Sequence, residues 1–342
     1  MYYGKITNRM NTPPTITESQ PPRLFPTLVS GFNTVANNIW LIAIPVVLDG
    51  ALWLGPKLRL DQLILPQLSL LSKSLLQAQG ADFQSTLDSM QKMWVQFFTH
   101  FNLATLIRTF PIGVPTFLSR ETVVDSPITN TLQYQVPSLG NAFLILLALV
   151  IIGFFLGSLY FNSLAQATAK SKEKVNFEKL LFQFGQSIAM ALILLVVVMI
   201  LAFPAMMLLS AILFINVQLA DFALLLGIFA VLWLVMPLVF SPHGIFVINQ
   251  KAFPSMMLSM RMIRYFLPGT GMFVITAAVI SEGLNMVWSI PDATSWLLTI
   301  SIFGHAFIVT ALLAASFIYY REGLRWMQET IQHMSTPMSK PV

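Results

Sequence analysis

Long apolar segments without charged residues dominate this sequence. The segments at about 141–164 and 180–203 contain no Asp, Glu, Lys or Arg, and each exceeds the ~20 residues that a helix needs to cross the hydrocarbon core of a bilayer. Only 10% of the 342 residues are charged, against roughly 25% in an average soluble domain. The composition therefore indicates a multi-pass membrane protein, and it excludes an ordinary cytosolic enzyme and a disordered protein.

The hydropathy pattern predicts an all-α fold, a polytopic membrane helical bundle of six transmembrane helices with amphipathic interfacial helices. The predicted spans lie at about 33–54, 141–164, 180–203, 221–240, 267–288 and 294–320. Residues 29–320 would form the membrane domain, between a flexible cytoplasmic tail at 1–28 and a second cytoplasmic tail at 321–342. The third apolar tract continues through Pro204 to residue 215, so we expect one long, kinked third helix.

Basic residues collect on one side of the predicted bundle. Lys and Arg occur before the first span, between the second and third, between the fourth and fifth, and after the sixth, whereas the short connections near 216–221 and 289–294 contain none. Positive charge near short loops is retained in the cytoplasm. The pattern predicts a cell inner-membrane protein whose N- and C-termini are both cytoplasmic.

The long connection at 55–140 would then lie outside the cytoplasm. Apolar residues recur at steps of three and four from 82 to 101, which predicts an amphipathic helix, and residues 62–79 show a weaker pattern of the same kind. Two prolines in FPIGVPTF at 110–117 should interrupt any helix. We expect this connection to lie on the outer leaflet or to fold over the mouth of the bundle.

A Met-rich amphipathic segment at 253–266 resembles an interfacial helix on the inner side. Lys251, Arg261 and Arg264 flank or interrupt its apolar surface. Basic residues in this position attract anionic lipid headgroups. The segment therefore predicts a helix that lies on the bilayer surface and contacts lipid headgroups through these three residues. The lipid bilayer itself is thus an expected partner.

Three ionisable residues lie within the predicted spans, namely Asp49, Glu282 and His305. Charged groups are costly inside a bilayer and mark functional sites by default. All three should fall in the outer half of the membrane, where they could form a shared site for proton coupling or ligand binding, or serve three separate structural roles. Axial ligation of haem or a pigment by His305 is a further alternative. The other histidines, His243 among them, are expected in loops or tails.

Gly153 and Gly157 form a GxxxG face on the predicted second span. Such a face permits close backbone approach between helices in a membrane. We expect it to serve packing inside the bundle, with contact to another subunit as the alternative.

Several chemistries have no sequence signal in this chain. Cysteine is absent, which removes disulfides, thiolate metal ligands and thiol catalysis. No pair of histidines has metal-ligand spacing and no nucleotide-binding, zinc-protease or serine-hydrolase motif occurs, so we expect no metal, no cofactor and no catalytic residue. The sparse Lys and Arg residues form no basic stripe of the kind that binds nucleic acid.

The second half of the chain carries three features in a fixed order: SPHGIFV at 241–247, SMRMIRYF at 259–266 and LPGTG at 267–271. In this order they resemble the bacterial six-helix inner-membrane proteins related to the membrane domain of some glycerophosphodiester phosphodiesterases and to the YciC-like group. The resemblance covers about residues 175–320 and implies the membrane fold. It implies no reaction, because the chain carries no phosphodiesterase domain.

Three functional classes remain open from the sequence. The favoured one is a non-catalytic scaffold, assembly factor or accessory subunit of the cell envelope, with other membrane subunits as its partners. A secondary transporter or permease that uses the outer-half polar residues is the alternative. A cofactor-binding or enzymatic membrane subunit is the third.

Overall fold

The computed structural model describes residues 20–79, 84–119, 126–128, 132–169 and 176–335. Its described part is almost entirely helical, which confirms the all-α class. The helices are α1 (Leu24–Asn37), α2 (Ala43–Leu54), α3 (Asp61–Gln79), α4 (Gln84–His100), α5 (Leu139–Ala169), α6 (Phe177–Ile215), α7 (Val217–Val235), α8 (Ser241–Val247), α9 (Ala252–Tyr265), α10 (Leu267–Trp288) and α11 (Leu298–Ser335). Two short strands, β1 (Lys57–Arg59) and β2 (Gln133–Gln135), pair in parallel.

Five helical segments of the described part are long and apolar enough to cross a membrane. They are α5, α6, α7 together with its continuation through α8, α10 and α11. The pair formed by α1 and α2 would make a sixth crossing if it is one span. The chain is therefore a multi-pass helical membrane protein.

The prediction of one continuous helix over 33–54 is wrong. The axis of α1 and that of the segment at 39–54 differ by 92°, and a short 3-10 turn separates α1 from α2. Asn38 leaves the helical conformation, and its side-chain amide donates to the carbonyl of Thr34 at 2.8 Å. Pro45 lies in the first turn of α2, where a proline is tolerated, whereas inside a continuous helix it would remove a hydrogen bond.

Both parts of this broken helix pack against α11. Gly31 allows the closest approach, because a Cβ atom there would lie 2.6 Å from the carbonyl oxygen of Ala311. The Thr27 hydroxyl donates to Glu322 at 3.1 Å, while at the far end of α2 the Trp53 indole N–H donates to the carbonyl of Ala293 at 2.8 Å. The two ends of the α1–α2 pair therefore contact Glu322 on α11 and Ala293 in the connection that precedes α11.

Both predicted tails contribute residues to helices. α1 begins at Leu24 and α11 continues to Ser335. Leu28 is buried in the same apolar cluster as Leu324 and Met327, so apolar contacts extend the helices beyond the predicted membrane boundaries. The rest of the predicted tails, at 1–19 and 336–342, lies outside the described residues.

The amphipathic segments form the predicted helices. α4 covers most of the predicted 82–101 helix, and α3 covers the weaker pattern at 62–79. α9 buries Ser255, Met256 and Ser259 against the bundle. The basic residues Lys251, Arg261 and Arg264 are exposed, and their contact with lipid stays a prediction.

The predicted long third helix is confirmed as α6, which continues through Pro204. Its second half and α7 form a two-helix hairpin that packs little against the rest of the bundle. No residue in the most apolar window of either helix is buried. We call this unit the α6–α7 hairpin, residues 195–235.

Candidate functional site

The three predicted polar residues lie in different environments. Asp49 on α2 is fully buried, with a relative exposure of 0%. His305 on α11 is half-buried, and its ring centroid lies 5.4 Å from that of Phe117. Glu282 on α10 has an exposed side chain. Asp49 and His305 thus both adjoin Phe117, and a joint site that also includes Glu282 stays a prediction.

Asp49 forms hydrogen bonds to the end of a loop that was expected outside the bundle from the sequence. Its carboxylate accepts the backbone N–H of Phe117 at 3.0 Å and that of Leu118 at 3.4 Å. These residues begin a short 3-10 turn, whose first N–H groups have no partner within the turn. Arg108 lies nearby. Burial lowers the pKa of its guanidinium, while the charge of Asp49 opposes this shift.

We call residues 102–118 the inserted loop. Gly157 faces its tip: a Cβ atom there would lie 2.9 Å from the carbonyl oxygen of Ile112. A Cβ atom at Gly153 would lie 2.1 Å from the carbonyl oxygen of Ile107. Loop backbone, and not another helix, therefore packs against Gly153 and Gly157.

The inserted loop reaches deep into the bundle. Gly157 lies about 27 Å along α5 from Leu139, at roughly 1.5 Å per residue. Ile112 is fully buried and Val114 is 4% exposed. Irregular backbone at membrane depth is tolerated only where protein surrounds it or where it lines a cavity. The expectation that this connection only covers the bundle surface is therefore wrong for residues 102–118.

An open crevice of about 490 Å³ lies beside the inserted loop. The loop forms one wall, and the other walls come from α5, the chain around α8, α10 and α11. We call it the crevice, and its lining includes Pro111, Phe161, His243, Phe273, Ala278 and Ser316. Most of these side chains are apolar. The volume is within the range of about 300–1,000 Å³ that is typical of small-molecule sites.

His243 is the main polar group of the crevice, and the sequence placed it wrongly in a loop outside the spans. It lies in α8 and is only 3% exposed. Its Nε2 lies 2.7 Å from the hydroxyl of Ser316, which donates to the carbonyl of Leu313 at 2.7 Å. The direction of the hydrogen bond between the ring and Ser316 depends on which ring nitrogen carries the proton.

The second ring nitrogen of His243, Nδ1, is buried and makes no hydrogen bond to the described residues. It is a donor in one tautomer of the ring and an acceptor in the other. Signals that could have revealed His243 are its apolar neighbours in the sequence, Phe240, Ile245 and Phe246.

Within the described residues, no group of three or more His, Asp or Glu side chains could hold a metal ion. No family model, no curated protein and no solved structure matches this chain. The class that the fold defines, a multi-pass helical membrane protein with an inserted loop, therefore rests on the structure alone. The resemblance to the six-helix inner-membrane group stays a prediction.

Replacing Asp49 by Ala should release the inserted loop. The change leaves two buried backbone N–H groups without an acceptor, which costs about 1–3 kcal/mol. Thermal unfolding in detergent should show a lower Tm for Asp49→Ala, and a smaller loss for Asp49→Asn because its amide oxygen can still accept. Asp221→Ala is the matched control, since Asp221 is exposed. Equal Tm values for all three variants would contradict the anchoring role.

Proposed function

We propose that this protein is a non-catalytic accessory protein of the cell envelope, which binds an apolar, lipid-like molecule in the crevice. The crevice itself carries the proposal. It combines mostly apolar walls with one buried ring nitrogen that makes no hydrogen bond to the described residues, Nδ1 of His243. Sites of this kind bury most of a ligand against apolar side chains and orient it with a few polar groups.

Nδ1 of His243 defines the polar part of the ligand. A buried polar atom without a partner costs free energy, and a ligand hydroxyl, which can donate or accept, would remove that cost. Apolar chains can enter from the surrounding bilayer because the crevice is open. A secondary transporter that uses Asp49, Glu282 and His305 is the weaker alternative, since the Asp49 carboxylate is already engaged by the backbone of the inserted loop.

Ala278→Phe should reduce binding of the lipid-like molecule. Ala278 lines the crevice and is exposed, so the larger ring fills the crevice without entering the core. Each methylene excluded from an apolar site costs about 0.8 kcal/mol, so excluding two reduces affinity by about tenfold. Native mass spectrometry of the detergent-purified protein should show the retained species and its loss in the variant.

Ala148→Phe is the control for this experiment. Ala148 lies on α5, is exposed and does not line the crevice. Equal retention in both variants would contradict the proposal, and so would a wild-type protein that retains no apolar species.

We also propose an assembly role, in which the α6–α7 hairpin binds a transmembrane helix of another membrane subunit. Gly227 is exposed, and no atom lies within 4 Å of a Cβ atom built there. Ala223 precedes it by one helical turn. Two small residues four apart on an unoccupied face allow close approach of another helix in a membrane. The free hairpin is the observation that favours this second role.

Gly227→Leu should dissociate the partner subunit and leave the fold intact, because the new side chain extends into space that this chain does not occupy. Gly185→Leu is the matched control, since a Cβ atom at Gly185 on α6 also meets nothing within 4 Å. The mass of the complex extracted from native membranes, measured by native mass spectrometry, should fall only for Gly227→Leu. A dimer of this chain as the heavier species would overturn the proposed partner, and a monomeric wild type would overturn the role.

We further propose six crossings, with both termini in the cytoplasm of an inner membrane. The part of α11 between Leu298 and Glu322 is about 36 Å long, which exceeds the ~30 Å of the hydrocarbon core. The α1–α2 pair contacts one end of this part where Thr27 donates to Glu322, and beyond its other end Trp53 donates to the carbonyl of Ala293, which precedes α11. This supports one broken span and not a loop that returns to the same side. The distribution of Lys and Arg supports the orientation.

Single cysteines test this topology directly, because the chain has none of its own. A membrane-impermeant maleimide should label Ser126→Cys in spheroplasts, but Gln20→Cys and Gln328→Cys only after permeabilisation. If α1 and α2 instead formed a loop returning to one side, Gln20→Cys and Ser126→Cys would react alike. Equal labelling of these two positions would therefore exclude the sixth crossing.

A further inference from the structure

A second, polar cavity lies on another face of α11. Its volume is about 580 Å³, and its walls come from α1, the C-terminal end of α5 and α11. α1 contributes Asn33, Thr34 and Asn37. Asn33 and Thr34 precede Asn37 by four and three residues, so both lie on the same helical face as Asn37. α11 contributes Arg321, Glu322 and Arg325. The crevice, in contrast, meets α11 through Leu312 and Ser316.

The charges in this polar cavity favour an anion. Arg321 and Arg325 are four residues apart on α11, so their side chains are neighbours and repel each other. Glu322 supplies one negative charge, and its carboxylate already accepts the Thr27 hydroxyl at 3.1 Å. Two guanidinium groups and one carboxylate leave the lining with one excess positive charge. A bound anion would compensate it.

Arg321 is held in position before any ligand binds. Its Nη2 donates to the carbonyl of Ala165 at 2.7 Å, near the end of α5. Its Nε is buried and has no acceptor among the described residues. A guanidinium presents several N–H donors in a rigid plane that matches the oxygens of a phosphate. The amides of Asn33 and Asn37 add further donors to the same cavity.

We propose that this polar cavity binds the phosphate group of an anionic ligand. The phosphate can belong to a phospholipid headgroup or to a soluble phosphate compound. The cavity lies at the end of the bundle where Lys and Arg concentrate, which is the depth at which a phospholipid of that leaflet presents its phosphate. Binding there would link α1, α5 and α11 at one point, and it is independent of the crevice.

The test uses the full chain in detergent and two lipids with the same acyl chains. Dioleoyl-phosphatidylglycerol carries a phosphate and dioleoylglycerol does not, so native mass spectrometry of the Ala278→Phe protein, in which the crevice is filled, should detect stronger retention of the first. Arg325→Gln should reduce that retention about tenfold, the effect of losing one charge-assisted hydrogen bond. Arg325 is exposed, so its replacement leaves the core unchanged. Asn37→Asp, which adds a negative charge to the lining, should reduce retention similarly.

Lys73→Gln is the control. Lys73 is exposed on α3 and lies outside the cavity. Loss confined to Arg325→Gln and Asn37→Asp, with no displacement by millimolar inorganic phosphate, supports a lipid phosphate as the ligand. Displacement of the lipid by inorganic phosphate, or binding of phosphate alone with the same dependence on Arg325, supports a soluble phosphate compound. Equal retention of both lipids, or equal loss in Lys73→Gln and Arg325→Gln, would overturn the site.

Discussion

The packing of the inserted loop against α5 is the contact on which the internal arrangement of this bundle depends. Backbone N–H and C=O groups need hydrogen-bond partners wherever water is excluded. The inserted loop finds them within the protein: Asp49 accepts from Phe117 and Leu118, and the Thr109 hydroxyl donates to the carbonyl of Ile112 at 2.6 Å. Gly153 and Gly157 make room for the loop because they have no Cβ atom.

The crevice follows from this insertion. A loop inserted between helices keeps α5 and the segment around α8 from closing onto α10 and α11 along their whole length. The space that remains is lined by the loop on one side and by helices on the others. The buried Nδ1 of His243, which makes no hydrogen bond to the described residues, then lies where an apolar molecule would be oriented. Both the crevice and its polar group therefore depend on the loop position.

The sequence predicted the helices better than it predicted which residues contact them. The runs of apolar residues predicted α5, α6, α10 and α11 because hydrophobic length is a local property. Asp49 was recognised as unusual because a carboxylate in a span is costly. The sequence did not reveal its partners, since Phe117 and Leu118 are far away in the chain. Gly153 and Gly157 were recognised as a close-packing face, but the usual rule for such faces names a helix, and here the neighbour is a loop.

Two features escaped sequence reasoning for different reasons. The break between α1 and α2 depends on Asn38 and Pro45, whose effects are local, but apolar residues continue across it and concealed it. His243 was expected in a loop because it follows an apolar run, whereas α8 continues the α7 span and carries His243 beside Phe317 and Ser316. A hydropathy pattern reports how apolar a segment is and does not report which way it turns.

The sequence by itself determined that this protein lies in a membrane and that it is helical. A chain with so few charged residues and such long apolar runs can pair its backbone N–H and C=O groups in a membrane only as helices. The tertiary structure decided which groups meet. It placed a proline-containing loop against two glycines, gave a buried carboxylate the backbone amides of that loop, and brought two arginines of α11 opposite the polar face of α1. Each of these contacts joins residues that are distant in the chain, and their formation depends on how the helices pack around one another.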